Sequence, residues 1–236
     1  MEAAAETLEM VSVTGPAATV SAAMKTRHSI RRFEPQPVEP EKLQAIFETS
    51  LRTPSWKNSQ PWSVHVVTGE KLKRLAALMT QAALAGELKP DLTWPAAYPA
   101  DAKRRMLDLG MKIYGVAGID RKDKAARDQF MVDNFKFFDA PVGVFITSNF
   151  DTNYYVAIDI GCYLQSVMLL AREQGLGTCP QAALSAFPDI VRTELGLPAE
   201  QKVLVGLSLG YPKPDPELNR FHTPREGFEE KIKFYS

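Results

Sequence analysis

A long apolar helical stretch, residues 155 to 174, constrains the fold of this chain more than any other segment. Its apolar residues occur almost all around the helix instead of along one stripe. They include Val156, Ile160, Leu164, Val167, Met168 and Ala171. A helix that is apolar on nearly every side needs burial. We therefore expect it at the centre of the fold or at a subunit interface, with Gly175 as its C-terminal cap.

Three shorter apolar segments predict β-strands. Residues 62 to 68 and 203 to 209 read as strands, and residues 141 to 147 form a nearly continuous apolar run. Such a run is typical of a strand buried on both faces, so we expect it in mid-sheet. Helices and strands do not alternate regularly enough for a doubly wound nucleotide fold, and no internal repeat is visible. The sequence thus predicts an α+β fold, with a sheet flanked by helices.

Apolar spacing and capping residues predict four more helices. They cover about residues 21 to 27, capped by Ser21, residues 40 to 51, started by Pro40, and residues 71 to 85 and 188 to 195.

The segment 86 to 138 reads as an insertion or lid over the core. It begins with three prolines together with Trp94 and Tyr98, and charged helical segments follow. These aromatic residues are candidates for the border of a substrate pocket. We expect one domain, residues 21 to 236, after a flexible N-terminal arm, residues 1 to 20, that lacks the basic and apolar regions of a signal peptide.

Composition excludes several classes of function. Basic and acidic residues number 28 each, so no global charge favours nucleic acid or an anionic membrane as partner. The two cysteines, Cys162 and Cys179, cannot form a disulfide framework, which favours a reducing cytoplasm. Asp159, Gln165 and Arg172 interrupt the best apolar run, so we expect no membrane span.

A basic run occupies residues 27 to 33, which read Arg-His-Ser-Ile-Arg-Arg-Phe. Guanidinium groups and a hydroxyl this close together suit an anion such as a phosphate monoester. The alternative is that Arg27, Arg31 and Arg32 are solvated at a helix C-terminus, where cations complement the helix dipole.

A polar, proline-framed loop occupies residues 53 to 62, which read Thr-Pro-Ser-Trp-Lys-Asn-Ser-Gln-Pro-Trp. Ser55, Asn58 and Gln60 offer donors and acceptors that suit a flat heterocycle. The alternative is an ordinary connection between a helix and a strand.

Together the two segments resemble the FMN-dependent nitroreductase family. Two more segments match in family order: residues 175 to 183, Gly-Leu-Gly-Thr-Cys-Pro-Gln-Ala-Ala, and residues 219 to 225, Asn-Arg-Phe-His-Thr-Pro-Arg. The resemblance covers about residues 24 to 234. It implies a mixed central sheet flanked by helices, in an interwoven homodimer with two FMN sites at the interface.

The resemblance also implies roles for the basic run and the loop. Arg27, His28 and Ser29 would hold the phosphate end of FMN, and Arg31 would lie toward the flavin pyrimidine. The loop residues would act on the flavin bound in the other subunit. These are Pro54, Ser55, Trp56, Asn58 and Gln60. Trp56 stands where the family often has a small residue such as Ser, so it either stacks or packs.

Residues 175 to 183 resemble the family segment that passes the flavin N5 and donates a backbone N–H to it. Glycines let a backbone approach a ring closely, and such a donor orients the flavin. Pro180, Gln181 and Ala182 fall at this position, and Gln181 and Ala182 replace an acidic residue found in some relatives.

In the tail, Arg225 matches the residue that returns to the phosphate, and Arg220 matches less well. Asp159 matches a position that can face the flavin pyrimidine, with a capping or packing role as the alternative.

Two other patterns fail on their context. Residues 206 to 210 match the G-x-S-x-G hydrolase turn, but Tyr-Pro-Lys-Pro follows, so no helix can begin there and Ser208 falls within a strand. Gly175 and Gly177 lack the third glycine of a dinucleotide fingerprint and follow a helix. The histidines and cysteines show no metal-ligand spacing.

By this resemblance we expect an FMN oxidoreductase. NADH or NADPH would reduce the flavin by hydride transfer at N5, and a nitroaromatic or quinone acceptor would then take the electrons. No catalytic acid or base is required, because FMN supplies the chemistry. The alternatives are a dehalogenating or flavin-modifying enzyme of the same fold and a non-catalytic FMN-binding regulator.

Overall fold

The structure of the chain is a computed structural model that describes residues 14 to 86, 88 to 214 and 216 to 236. Most of the predicted N-terminal arm therefore lies outside the described residues. Where the arm is described, it packs on the fold. Ala17 is buried and its N–H donates to the carbonyl of Arg172 at 3.2 Å. The hydroxyl of Thr19, and not that of Ser21, accepts from Ala22 N at the start of the first helix.

The described residues form the following helices and strands, each group given in chain order. The helices are α1 (Val20–Thr26), α2 (Pro40–Ser50), α3 (Gly69–Ala85), α4 (Ala100–Val116), α5 (Lys124–Val132), α6 (Tyr154–Glu173), α7 (Pro188–Leu195), α8 (Glu217–Arg220) and α9 (Phe228–Lys231). The strands are β1 (Ser63–Thr68), β2 (Val142–Ser148), β3 (Gly177–Gln181) and β4 (Lys202–Gly210).

The four strands form one sheet in the order β1-β2-β4-β3, and each neighbouring pair is antiparallel. Parallel pairing, which a mixed sheet requires, is limited in the described residues to an isolated bridge between Ser29 and Thr178. β2 lies in the interior of the sheet and is buried along its whole length, as predicted. β3 was not predicted as a strand.

Helices cover both faces of the sheet. Successive residues of β2 point to opposite faces, so Val144 packs with Ile160 of α6 and Ile46 of α2, whereas Phe145 packs with Leu75 of α3. The prediction of an α+β fold with a central sheet flanked by helices is confirmed.

The ends of α6 follow from local chemistry. The Asn153 side-chain oxygen accepts from Tyr155 N at 3.0 Å and from Val156 N at 3.2 Å, which caps the helix start. Gly175, with φ +77°, follows the last turn in the left-handed conformation. The predicted cap at Gly175 is thus confirmed.

By length and composition α6 could cross a membrane, contrary to the expectation that its polar residues rule this out. The helix has 20 residues with a mean hydropathy of 1.4, and 39% of its apolar window is buried within the fold. It packs on α1, α2 and β3. Tyr154, Tyr155 and Ile158, near its start, remain exposed.

The predicted insertion contains α4 and α5 and is fixed at its beginning. The Asp91 carboxylate accepts from Arg192 Nη1 at 2.8 Å, from Arg192 Nη2 at 3.2 Å and from Val203 N at 2.8 Å. Trp94 and Tyr98 are exposed. The insertion is therefore attached to α7 and β4 close to the core, while Trp94 and Tyr98 face outward.

Candidate functional site

The basic run lies between the end of α1 and β3. Ile30 N donates to the carbonyl of Thr178 at 2.9 Å, beside the parallel bridge formed by Ser29. The approach is close because Gly177 has no side chain. A Cβ built there would lie 2.6 Å from Ile30 Cγ1. The predicted phosphate segment thus rests directly on the predicted N5 segment.

Asn219 joins the tail to the basic run. Its fully buried side chain accepts from Arg31 N at 2.9 Å and Arg32 N at 3.1 Å, and donates to the carbonyls of Arg32 at 2.6 Å and Lys213 at 2.9 Å. Asn219 belongs to the matched tail segment but was not predicted as a site residue. The signal available in the sequence was only its place in that segment.

Four basic residues from the two ends of the chain meet here, and we call Arg27, His28, His222 and Arg225 the basic cluster. Burial, followed by repulsion from Arg225, lowers the pKa of Arg27. The His28 and His222 rings lie 4.0 Å apart between centroids. Arg27 is half-buried and Arg225 is exposed, and two guanidinium groups that repel each other in this way fit an anionic ligand such as the phosphate of FMN.

His28 uses both ring nitrogens inside the protein. Nδ1 lies 2.8 Å from the carbonyl oxygen of Thr26, and Nε2 contacts the carbonyl oxygen of Asn219. Its side chain is buried, and burial lowers the pKa of His28. The structure therefore favours a positioning role for this ring, linking α1 to the tail, over direct contact with a phosphate.

Ser29 and Arg31 meet Arg27 around the buried thiol of Cys179. Burial raises the pKa of the Cys179 thiol, and this effect is opposed by Arg31, a hydrogen bond with Ser29, and Arg27. Three of the four predicted residues of the basic run thus converge on one position of β3.

The loop after α2 has an unusual backbone. Lys57, Asn58 and Gln60 have φ values of 52°, 58° and 46°, a conformation that non-glycine residues seldom adopt. Gln60 N donates to the Ser55 hydroxyl at 2.9 Å, and the Gln60 amide donates to Asn58 Oδ1 at 3.2 Å. Backbone outliers of this kind cluster at ligand-binding sites.

Asp159 holds this loop. Both oxygens of its buried carboxylate accept from Trp56 N at 3.1 Å, and Oδ2 also accepts from Ser59 Oγ at 3.4 Å. Of the two predicted roles for Asp159, the structure favours the capping role over contact with a flavin.

Trp56 projects from the loop onto the start of α6. Its ring stacks on Tyr155 with centroids 4.9 Å apart and an angle of 17°, and Lys57 Nζ lies 4.8 Å from its centroid. The side chain is 54% exposed. Pro54, Asn58 and Gln60 are exposed as well, so the loop presents its predicted contacts to the outside of the chain.

Gln181 is the last residue of β3 and lies within the matched segment of residues 175 to 183. The Gln181 amide nitrogen donates to the carbonyl of Asn134 at 2.8 Å, and its oxygen accepts from Ser208 Oγ. Its side chain is therefore committed to the core, whereas Pro180 is half-buried and Ala182 is exposed. A backbone contact at this position is compatible with the structure, but a ligand contact by the Gln181 side chain is not.

An open cavity of about 500 Å³ borders the loop, and we call it the β1 groove. Its lining comes from α2, the loop, β1 and α6. The residues are Gln44, Phe47, Glu48, Leu51, Gln60, Trp62, Val64, Val66 and Tyr163. Most of this lining is apolar, and it surrounds an outer strand of the sheet.

The fold and these sites define an α+β protein built to bind an anionic cofactor. Residues 24 to 211 match the model of the Nitroreductase family. The chain therefore belongs to the nitroreductase family.

Individual relatives agree along nearly the whole chain. The chain is 35% identical to a 4-nitrobenzoate reductase of Pseudomonas putida, covering 87% of this chain and 90% of the relative. It is 32% identical to the nitroreductase NfnB of Mycolicibacterium smegmatis, covering 94% and 96%.

Solved structures give the same result. The FMN-dependent nitroreductase NfnB from Mycobacterium smegmatis, solved in complex with NADPH, matches with a TM-score of 0.88 and 31% identity, covering 92% of this chain and 97% of that one. The FMN- and NADPH-dependent nitroreductase NfnB from Sphigopyxis sp. strain HMH matches with a TM-score of 0.89 and 34% identity, covering 92% and 99%.

Proposed function

We propose that the protein is a nitroaromatic reductase that transfers electrons from NADH or NADPH through FMN to a nitro compound. One observation carries the proposal. Arg27 and Arg225, from opposite ends of the chain, come together beside β3 in a chain whose solved relatives are FMN-dependent. The prediction of an NAD(P)H-dependent FMN oxidoreductase agrees with relatives that match along nearly the whole chain.

The substrate class rests on the relatives. They include reductases of 4-nitrobenzoate, chloronitrobenzene and nitrobenzene, with 33% to 35% identity. A nitroaromatic acceptor is therefore favoured over a quinone, and hydride transfer at N5 remains part of the proposal.

FMN supplies the redox chemistry when it is bound. The chain contributes binding and orientation. Arg27 and Arg225 would bind the phosphate, Ser29 would add a hydroxyl donor, and Arg31 would supply a positive charge for the flavin pyrimidine. The backbone of residues 180 to 182 would donate an N–H to the flavin and so orient it.

We also propose a homodimer in which the loop of each subunit walls the flavin of the other. Two features support it. The loop leads into β1, at the opposite edge of the sheet from β3 and the basic run, and Asp159 holds it in place. The β1 groove leaves an apolar surface uncovered next to this loop, as an interface would require.

The proposal is tested by the visible spectrum of the purified protein. We expect yellow protein that bleaches under anaerobic NADH or NADPH and recovers its colour when 4-nitrobenzoate is added. Folded protein that stays colourless after incubation with excess FMN would contradict FMN binding. Bleaching without recovery on any nitroaromatic compound would contradict the acceptor class.

The same experiment separates the alternatives. A halogenated aromatic that restores the colour while nitroaromatics do not would indicate a dehalogenating enzyme. An FMN-binding regulator would stay yellow with both nicotinamides.

A further inference from the structure

Gln181 holds the predicted N5 segment from two directions. Its side chain is buried, its amide nitrogen donates to the carbonyl oxygen of Asn134 at 2.8 Å, and its amide oxygen accepts from Ser208 Oγ. A carbonyl oxygen can only accept a hydrogen bond, so the nitrogen must face Asn134 and the oxygen must face Ser208. Both ends of this amide are therefore used within the protein, and its orientation is fixed.

Ser208 is the central residue of the G-x-S-x-G pattern, and its side chain is fully buried on β4. Its place within a strand excludes a hydrolase turn, but a hydroxyl at this depth still needs a hydrogen-bond partner. The amide oxygen of Gln181, on the neighbouring strand β3, accepts from it. The pattern thus marks a buried bond between the two strands.

The other end of the Gln181 amide bonds to the segment that closes the insertion. Asn134 follows α5, and Phe137, Phe138 and Asp139 come just after it with φ values of 55°, 53° and 62°. Non-glycine residues seldom adopt this conformation, and such strain persists only where the surroundings hold it. Both phenylalanines are buried, and Phe137 N donates to the Asn134 carbonyl at 3.1 Å. The same carbonyl therefore connects the strained turn to Gln181.

The backbone that Gln181 fixes continues directly into the proposed flavin contact. β3 ends at Gln181, and Ser185 Oγ donates to the Ala182 carbonyl at 2.8 Å, which holds the turn that follows. Ala182 itself is exposed. A buried side chain thus sets the direction of an exposed backbone segment, as Asp159 does for the loop after α2.

We propose that Gln181 is a positioning residue for the flavin, which aligns the backbone of residues 180 to 182 on the cofactor and links that alignment to the end of the insertion. The inference rests on the proposed function and gives the Gln181 side chain a role without ligand contact. N5 accepts a hydrogen bond in oxidised FMN but carries a proton in reduced FMN, so an aligned backbone N–H favours the oxidised form. Loss of the alignment should therefore make the bound flavin easier to reduce.

The first test needs no cofactor. Gln181→Met keeps the length of the side chain and removes both bonds, so amide hydrogen exchange in the FMN-free protein should become about threefold to tenfold faster in residues 181 to 186. Gln201→Met is the matched control. Gln201 is a buried glutamine whose amide nitrogen donates to Thr147 Oγ1 at 2.7 Å, and it lies outside the part of β4 that pairs with β3. Its replacement should leave exchange in residues 181 to 186 unchanged, and equal effects of the two variants there would overturn the proposal.

The second test measures the bound flavin. Gln181→Met should shift the equilibrium constant for reduction of bound FMN roughly twofold to tenfold toward the reduced form. Anaerobic titration against a redox dye, followed by absorbance, gives this constant. Gln201→Met should match the wild type. A merely structural role of Gln181 would lower the free energy of unfolding without moving the reduction equilibrium, and that result would contradict the proposal.

Ser208→Ala gives a graded third measurement. It removes one of the two bonds and leaves Gln181 bound to Asn134, so the shift should have the same sign as in Gln181→Met and be smaller. Should Gln181→Met fail to fold, an unshifted equilibrium in Ser208→Ala overturns the proposal. Failure of the wild-type protein to bind FMN would overturn the proposed function and this role together. Binding of FMN with the same reduction equilibrium in every variant would overturn only the role of Gln181.

Discussion

At the scale of single residues, Arg27 brings the two ends of the chain into one site. It is half-buried at the end of α1, and Arg225 of the tail lies close enough to lower its pKa after the effect of burial. Arg27 and Arg225 carry like charges, and no protein carboxylate is among the groups that shift the pKa of Arg27. Such an arrangement is unfavourable unless an anion binds to it.

Replacing Arg27 by Ala should weaken FMN binding by roughly 1.5 to 3 kcal/mol, the scale of a hydrogen bond to a charged group. Fluorescence quenching of FMN on titration with protein measures the affinity. Lys25→Ala removes an exposed cation from the same helix and should leave the affinity unchanged. Equal affinities for wild type and Arg27→Ala would rule out the phosphate assignment.

Asp159 shows how a buried side chain controls an exposed loop. Asp159→Asn keeps the volume but leaves one oxygen to accept from Trp56 N. We expect the free energy of unfolding to fall by about 1 to 2 kcal/mol, measured by urea denaturation. Asp151→Asn changes an exposed carboxylate just before α6 and should have little effect. If both variants unfold at the same urea concentration as the wild type, Asp159 does not hold the loop.

At the scale of elements, β3 supports the basic run because its first residue is glycine. Gly177→Ala would place a methyl group 2.6 Å from Ile30 Cγ1. We expect a loss of about 1 to 3 kcal/mol in unfolding free energy, together with weaker FMN binding as Ile30 moves off the strand.

The matched control is Gly110→Ala in α4, where an added Cβ meets nothing within 4 Å. That variant should gain about 0.4 to 1 kcal/mol, because alanine restricts the unfolded chain. Thermal unfolding of both variants tests the pair. Similar effects at the two positions would show that the contact between Gly177 and Ile30 is unimportant.

The attachment of the insertion depends on Arg192, which binds one largely buried carboxylate and one exposed carboxylate. Asp91 is largely buried and also accepts from Val203 N, whereas Asp189 is exposed on α7. Asp91→Asn should therefore destabilise by about 1 to 3 kcal/mol, and Asp189→Asn by about 0.5 kcal/mol or less. Chemical denaturation gives both values, and limited proteolysis of residues 88 to 99 should speed up only in Asp91→Asn. The reverse order of effects would be inconsistent with an anchoring role for Asp91.

At the scale of the whole molecule, the proposed homodimer explains why predicted ligands face away from the chain that carries them. Leu51→Lys puts a charge in the β1 groove, where Leu51 is exposed, and should weaken the dimer. Sedimentation should show a shift toward the 26.2 kDa monomer and a parallel loss of bound FMN.

Leu84→Lys is the control, because Leu84 is exposed at the end of α3 and does not line the groove. Its mass and FMN content should match those of the wild type. An unchanged mass for Leu51→Lys would place the interface elsewhere.

Periodic segments could be predicted from the sequence because their burial leaves a local pattern. α2, α6 and α7 begin and end within about two residues of their predicted bounds, since proline starts, apolar spacing and Gly175 act over a few residues. β3 could not be predicted in this way. It is five residues long and contains Gly177 and Pro180, so only its pairing with β4 makes it a strand.

The same distinction between local pattern and tertiary packing applies to the candidate site. The sequence by itself determined the family, and it predicted Arg27, Ser29 and Arg225 as ligands of the proposed phosphate site, because the groups that suit an anion remain readable as motifs. Only the tertiary structure decided that His28 links α1 to the tail and that Asp159 caps the loop instead of facing a ligand. The contact between His28 and Asn219 and the bond between Trp56 and Asp159 join residues that are more than a hundred positions apart, and such partners are chosen by packing, which no local pattern encodes.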